Sequence, residues 1–328
     1  MSSLQGIRAI SLASVADALD DMLDAQMVGQ ARIAAQLVAA AEAAGYDEKR
    51  IIGVFDELVA ATVLDELWVS DGTGKVYLTN VRQASGAPIA FRFKPDPKEQ
   101  PQASKFHVLL ASETGSDDVV TQAAQVREID HEIYKYVGVN GVDKSRIVQV
   151  GNALAFEEQG VLTDTYASPV MTAVLAAFGE HDLLAGSYTS RLPEIRMIFQ
   201  GILGKQMIVQ ATLVDELIQC AIEAGFSSED VSARLGRIVD SSPIGEIRVA
   251  TQIGDLTYTA PPSAGGLACA SDLGPIMDGS TRVIDHPAVT DGAMTKVVTI
   301  VSRHAPRLVQ VGMTVPDESL LSPNYKPT

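Results

Sequence analysis

Cysteine is scarce: the 328-residue chain has two, Cys220 and Cys269. Two thiols cannot build a disulfide framework, and free thiols in a reducing compartment are the expected state. Basic residues are short as well. The chain has 25 Lys and Arg against 41 Asp and Glu, a net charge of −16. That sign argues against a nucleic-acid binder, whose affinity comes from neutralising phosphates. It argues equally against docking on an anionic membrane surface. Long apolar runs are missing. The Ala-rich stretch Ile33–Ala44 is interrupted by Gln36 and Glu42, whereas a membrane-spanning helix needs about 20 apolar residues. The start, MSSLQGIRAISLASVADALDD, has no apolar run of the length a secretion signal uses. The expectation is a cytoplasmic protein with no membrane contact; an excised extracytoplasmic receptor domain would read the same way. Aromatics are only 5%, with 8 Phe, 8 Tyr and one Trp.

What the chain does have is 46% apolar residues, enough for a sizeable core, and an internal repeat. MLDAQMVGQARIAAQLVAAAEAAGYD (Met22–Asp47) aligns with ILGKQMIVQATLVDELIQCAIEAGFS (Ile202–Ser227) at an offset of 180 residues without a gap. The register continues through LDELWVSDGTGKVYLTN (Leu64–Asn80) and IGEIRVATQIGDLTYTA (Ile244–Ala260). RIVQVG (Arg146–Gly151) recurs as RLVQVG (Arg307–Gly312) at an offset of 161, so the second copy has lost 19 residues from its middle. The chain is therefore two diverged copies of one module.

Each copy opens with an apolar stripe at three-to-four spacing, which predicts a long helix. Gly45 and Gly225 stand at equivalent places to cap the two helices. Shorter helices are expected at about Asp47–Thr62 and Ser227–Asp240. The period then falls to two, with a hairpin turning on Asp71–Gly74. Further strands are expected at Pro88–Phe93, Glu132–Val139 and Ser145–Gly151, and in the second copy at Ala293–Ser302 and Arg307–Gly312. The fold class read from this order is α+β: two modules, each an antiparallel sheet with a long N-terminal helix packed on one face. The expected division is a first module at 1–151, a helical linker at 152–190, a second module at 191–315 and a C-terminal tail at 316–328. A helix of about 35 residues spans roughly 50 Å, longer than one small sheet needs. Its surplus apolar surface predicts a homodimer through the long helices, or packing of the two helices within one chain.

Three strings, EIYKYVGVNGVDKSRIVQVG (Glu132–Gly151), LDELWVSDGTGKVYLTN and FKPDPKEQPQASKFHVLL (Phe93–Leu110), resemble the Cache branch of the PAS-like sensor domains, the ligand-binding domains of bacterial chemoreceptors. The resemblance covers about residues 10–151, and 190–312 through the repeat. It implies a small-molecule sensor with Phe93–Leu110 folded over the sheet as a lid, and a separate protein partner to carry the output. The amino-acid-binding pattern of some double-Cache receptors is not evident, so no ligand class follows from it.

The aromatics point to a site. The first copy holds Trp68, Tyr77, Phe91, Phe93, Phe106, Tyr134 and Tyr136; the corresponding sheet of the second holds only Tyr258. A small-molecule pocket needs a concave apolar wall with a few convergent polar groups. The expected ligand-binding residues are these seven aromatics with His107 and Arg127. The second module is expected to be a degenerate partner. Among the basic residues of the region, Arg92, Lys94, Arg127 and Lys135, Arg127 is the preferred anchor for a carboxylate. The alternative is that the aromatics only fill a core. No catalytic motif, metal-ligand spacing or cofactor fingerprint is present, so no metal, cofactor or enzymatic activity is expected. A haem, metal or enzymatic variant of the fold would involve His107 or His131, and a scaffold subunit that has lost its ligand is the other alternative.

Overall fold

A computed structural model describes residues 12–83, 85–127, 132–153, 192–262, 266–267, 273–290 and 293–314. The expected linker lies almost wholly outside these residues, as do the C-terminal tail, His131, His181 and Cys269.

The first module begins with α1 (Leu12–Ala43) and α2 (Glu48–Ala61). Gly45, at φ +78°, ends α1 in the left-handed conformation that glycine adopts without strain. Asp47 then caps α2 by accepting from the Arg50 backbone N–H at 2.7 Å. The strands are β1 (Glu66–Ser70), β2 (Val76–Thr79), β3 (Val119–Val126), β4 (Ile133–Asn140) and β5 (Ile147–Ala153), with a 3-10 helix at Ala103–Leu110. They form one sheet in the order β2-β1-β5-β4-β3, antiparallel throughout.

The second module repeats this. It runs α3 (Leu192–Glu223), α4 (Ser228–Asp240), β6 (Glu246–Thr251), β7 (Leu256–Ala260), β8 (Val283–Thr290), β9 (Ala293–Val301) and β10 (Arg307–Thr314). Its sheet has the same order, β7-β6-β10-β9-β8. Ser227 and Asp230 form a capping box at the start of α4. The fold is thus α+β, two antiparallel five-stranded sheets with a long helix against each.

Two expectations about strands need correction. Pro88–Phe93 is not a strand; it runs beside β2 through isolated bridges at Arg82–Pro88 and Lys75–Arg92. Proline has no N–H to give a ladder. The edge strands β3 and β8 fall in what reads from sequence as an irregular middle.

One apolar cluster runs from the first sheet through both long helices into the second sheet, including Met27, Ile33 and Val150 on one side and Met207, Leu213 and Val311 on the other. Each long helix therefore buries its stripe on its own sheet and on the other helix. The surface from which a homodimer is expected is used inside the chain. At the crossing, Gln30 Nε2 donates to Gln206 Oε1 at 2.6 Å, and Gln210 Nε2 donates to Gln26 Oε1 at 2.9 Å. Gln26 and Gln206 are equivalent in the repeat, as are Gln30 and Gln210, so the pairs exchange under a local pseudo-twofold. All four are buried. Replacing Gln30 by Ala takes one of two donors from the Gln206 carbonyl, which keeps Asn152 Nδ2 at 3.2 Å, and is expected to cost about 0.5–1.5 kcal/mol. The Gln30→Ala/Gln206→Ala double variant is expected to lose less than the sum of the singles in urea unfolding.

Candidate functional site

The two faces of the first sheet carry different chemistry. One face packs on α1. The other lies under the segment from Phe93 through the 3-10 helix and encloses a cavity of about 260 Å³. Its walls include Trp68, Phe91, Phe93 and Phe106, and its polar groups come from Gln122, Arg127, Tyr136 and Gln149, with Glu99, Gln100 and Gln102 also in the lining. The aromatics form an edge-to-face chain: Trp68–Phe91 at 5.5 Å, Phe91–Phe93 at 5.1 Å and Phe93–Phe106 at 6.2 Å between centroids. Phe106 reaches the sheet because residue 138 is glycine. A Cβ at Gly138 would lie 2.7 Å from the Phe106 ring.

Glu66 organises the floor. Strand alternation puts it on the same face as Trp68. Its Oε2 accepts from Trp68 Nε1 at 2.9 Å and from the Tyr136 hydroxyl at 2.7 Å, while Oε1 accepts from Arg127. Arg127 also donates to the Tyr136 hydroxyl at 2.9 Å, and its guanidinium lies 3.8 Å above the Tyr134 ring. Tyr134 stacks on Tyr136 with the planes 12° apart. Burial, and then the Glu66 charge, push the Tyr136 hydroxyl far above its ordinary range, so it stays a donor. Tyr136 leans over Gly151, where a Cβ would meet its ring at 2.4 Å.

Six of the nine expected ligand-binding residues line this cavity: Trp68, Phe91, Phe93, Phe106, Arg127 and Tyr136. Tyr134 supports Arg127 and Tyr136 from behind. His107 is on the 3-10 helix but not in the lining.

Tyr77 belongs to the opposite face. It packs against the helix-side core and donates to Glu42 of α1 at 2.7 Å, with Arg146 donating to its hydroxyl at 2.9 Å. The bulge where β2 passes Val69 and Ser70 reverses the alternation and turns it away. Lys135, between the two tyrosines on β4, also faces the helix layer, 2.9 Å from both Asp20 and Asp24.

Burial alone would raise the Glu42 carboxyl. Hydrogen bonds from Lys144, Tyr77 and Arg146 outweigh it and hold the group below its ordinary value of 4.5. A carboxyl depressed in the folded state contributes stability that is present above pH 4.5 and lost as pH falls through the folded value. Glu42→Gln is expected to flatten the acid side of the stability–pH curve below pH 5 and leave its neutral region parallel to the parent's, as read by thermal unfolding across pH.

Sequence reasoning missed Gln122, Gln149 and Glu66. Gln122 and Gln149 are 2% and 5% exposed, and neither side-chain amide has a hydrogen-bond partner among the described residues. The repeat carries the signal for two of the three. Glu66 recurs as Glu246 and Gln149 as Gln310, but the partners differ. In the second module Arg248 stands in Trp68's place and donates to Glu246 at 2.7 Å and to the Gly266 carbonyl. Thr299 stands in Gly138's place and accepts from Gln310 at 2.9 Å. Leu267, Leu273 and Ile276 then pack over Ala250 and Leu308. The counterpart of Gln149, open in the first module, is thus tied in the second.

Asp215, Glu216 and His304 bring ligand-type atoms within 4.8 Å of one another. Arg307 is 2.8 Å from Asp215, and Arg303 and His304 both bond Glu216, at 2.7 and 2.5 Å. Arg307 and Arg303 neutralise the two carboxylates, so the cluster reads as a clamp between α3 and the β9–β10 turn.

No family model and no curated protein matches the chain. Solved structures do. It is similar at 9% identity to the ligand-binding domain of the Campylobacter jejuni chemoreceptor Tlp3 in complex with 4-methylisoleucine, over 96% of each chain with a TM-score of 0.23. It is similar at 9% identity to the ligand-binding domain of the Pseudomonas aeruginosa amino-acid chemoreceptor PctC in complex with GABA, over 76% of this chain and 74% of that one, with a TM-score of 0.19. At 12% identity and a TM-score of 0.24 it is similar to an extracellular ligand-binding receptor from Desulfohalobium retbaense, spanning 39% of that chain. No residue role is transferred from them. Among the described residues no helix is long and apolar enough to cross a membrane.

Proposed function

We propose that the chain is a small-molecule sensor whose ligand sits in the first module, between the aromatic lid and the sheet, while the second module is a structural partner without a ligand. The observation that carries this reading is the contrast between the copies. The first keeps an aromatic cavity of about 260 Å³ lined by two amides, on Gln122 and Gln149, that make no hydrogen bond to the described residues. The second ties Gln310, the counterpart of Gln149, to Thr299 and packs Leu267, Leu273 and Ile276 over Ala250 and Leu308. Amides that open into an aromatic cavity supply the convergent polar groups a small-molecule site needs.

β4 is the route outward. Tyr136 faces the cavity and Lys135, next in the chain, holds Asp20 and Asp24 of α1. A ligand that moves β4 therefore moves the grip on α1, and through α1 the packing against α3. A partner protein reading the helices would receive that change. A carboxylate ligand remains compatible with Arg127, but it has to compete with Glu66 for the guanidinium.

Trp68 is the chain's one tryptophan and stands in the cavity wall. Titrating the full chain with amino acids, carboxylates, amides and small heterocycles is expected to change its emission saturably for at least one class. A flat response to all four classes overturns the reading.

A further inference from the structure

We infer that the cavity takes an uncharged, planar ring compound with donor and acceptor groups on its edge, a cyclic amide or nucleobase-like heterocycle, gripped by Gln122 and Gln149. The inference deepens the proposed reading and rests on it.

Most polar groups of the wall are already engaged within the protein. Trp68 Nε1 is committed to Glu66, and Arg127 and Tyr136 are locked to the same carboxylate. The Arg127 charge is thereby cancelled inside the wall, which leaves no net charge to hold an ion. At the mouth, Glu99 pairs with Lys94 at 2.6 Å. Gln100 spends both ends of its amide on the backbone of Lys94 and Arg92. Gln102 donates to the Val126 carbonyl at 2.6 Å. What remains is two neutral amides, each offering a donor and an acceptor.

Their placement suits one small ring. Gln122 on β3 faces Tyr136 on β4, and Gln149 on β5 faces Gly138 on the other side of the same strand. Two strand spacings across and two residues along the strand separate their backbones, about 12 Å. Both amides line the one cavity, together with Trp68, Phe91, Phe93 and Phe106. An amide edge pairs with a donor–acceptor edge in two-point fashion, and aromatic walls favour a flat π system.

Calorimetry on the full chain tests this with uracil and hypoxanthine as uncharged probes and L-leucine as the zwitterionic one. Binding of a neutral heterocycle, weakened at least tenfold by Gln149→Leu and by Gln122→Leu, is expected. Neither variant breaks a protein hydrogen bond, so unfolding midpoints at or above the parent's are expected, which separates lost recognition from lost fold. Binding of L-leucine but of neither heterocycle overturns the inference and leaves the sensor reading standing. Heterocycle binding that is unchanged in both variants overturns the role of the amides. No heat from any probe, together with unchanged Trp68 emission across all four compound classes, overturns both the inference and the reading.

Discussion

Replacing Glu66 by Ala is expected to lower the stability of the chain by about 3–5 kcal/mol, the range for removing one partner of a buried ion pair. Glu66 is 4% exposed and serves three donors at once. Its loss takes from Arg127 the carboxylate at the cavity floor and leaves the Trp68 N–H and the Tyr136 O–H without their acceptor. Both of those groups carry the cavity wall, so ligand binding should fall with stability. Glu66→Gln separates the two effects. It keeps the volume and an acceptor for Trp68 or Tyr136 but removes the charge, so an intermediate loss is expected. Urea unfolding followed by Trp68 emission and by helix content reads both variants. A loss below about 1 kcal/mol for Glu66→Ala, the range of an exposed pair, would show that the carboxylate is not the keystone of the floor.

Gly138→Thr carries the second large effect, on binding rather than on folding. The new Cβ meets Phe106 at 2.7 Å, so the ring and its 3-10 helix must lift. Overpacking of this kind costs about 1–3 kcal/mol. The threonine hydroxyl also offers Gln149 the partner that Thr299 gives Gln310. One substitution therefore converts the first module toward the second, and ligand binding is expected to be lost. Thr299→Gly in the second module is the control and should leave binding at the parental level. Retained affinity in Gly138→Thr would mean that the seat of Phe106 on Gly138 does not shape the ligand's cavity.

These variants also mark what was legible in the amino-acid order. The duplication, the long helices and the hairpins announced themselves through period and glycine placement. Leu67 and Val69 alternating with Glu66 and Trp68, and Gly45 and Gly225 closing two helices, are local signals that tertiary packing did not override. The edge strands were not legible. VVTQAAQV in β3 has an irregular inside–outside pattern and a register shift between Gln122 and Gln125, so no clean alternation exists to read. Pro88–Phe93 alternates well and does run beside β2, but only through isolated bridges and single backbone bonds such as Val76 N–H to the Phe91 carbonyl, which make no continuous ladder.

In the site, aromatics are conspicuous in a chain so poor in them, and six of the expected residues do meet around one cavity. Tyr77 escaped because a bulge inverts its direction. Gln122 and Gln149 escaped because a neutral amide belongs to no motif; its meaning depends on whether a partner is present. Comparing Gly138 with Thr299 across the repeat could have flagged Gln149; nothing in the repeat flags Gln122.

The claim at the centre is that the first module recognises a ligand and the second does not. Hydrogen–deuterium exchange of the full chain, with and without a saturating neutral heterocycle, tests it most directly. Slowed exchange is expected in the lid at 93–110 and on β4 and β5, weaker slowing along α1, and none in the sheet of the second module. Protection centred on β6, β9 and β10, with the lid unchanged, would contradict the account.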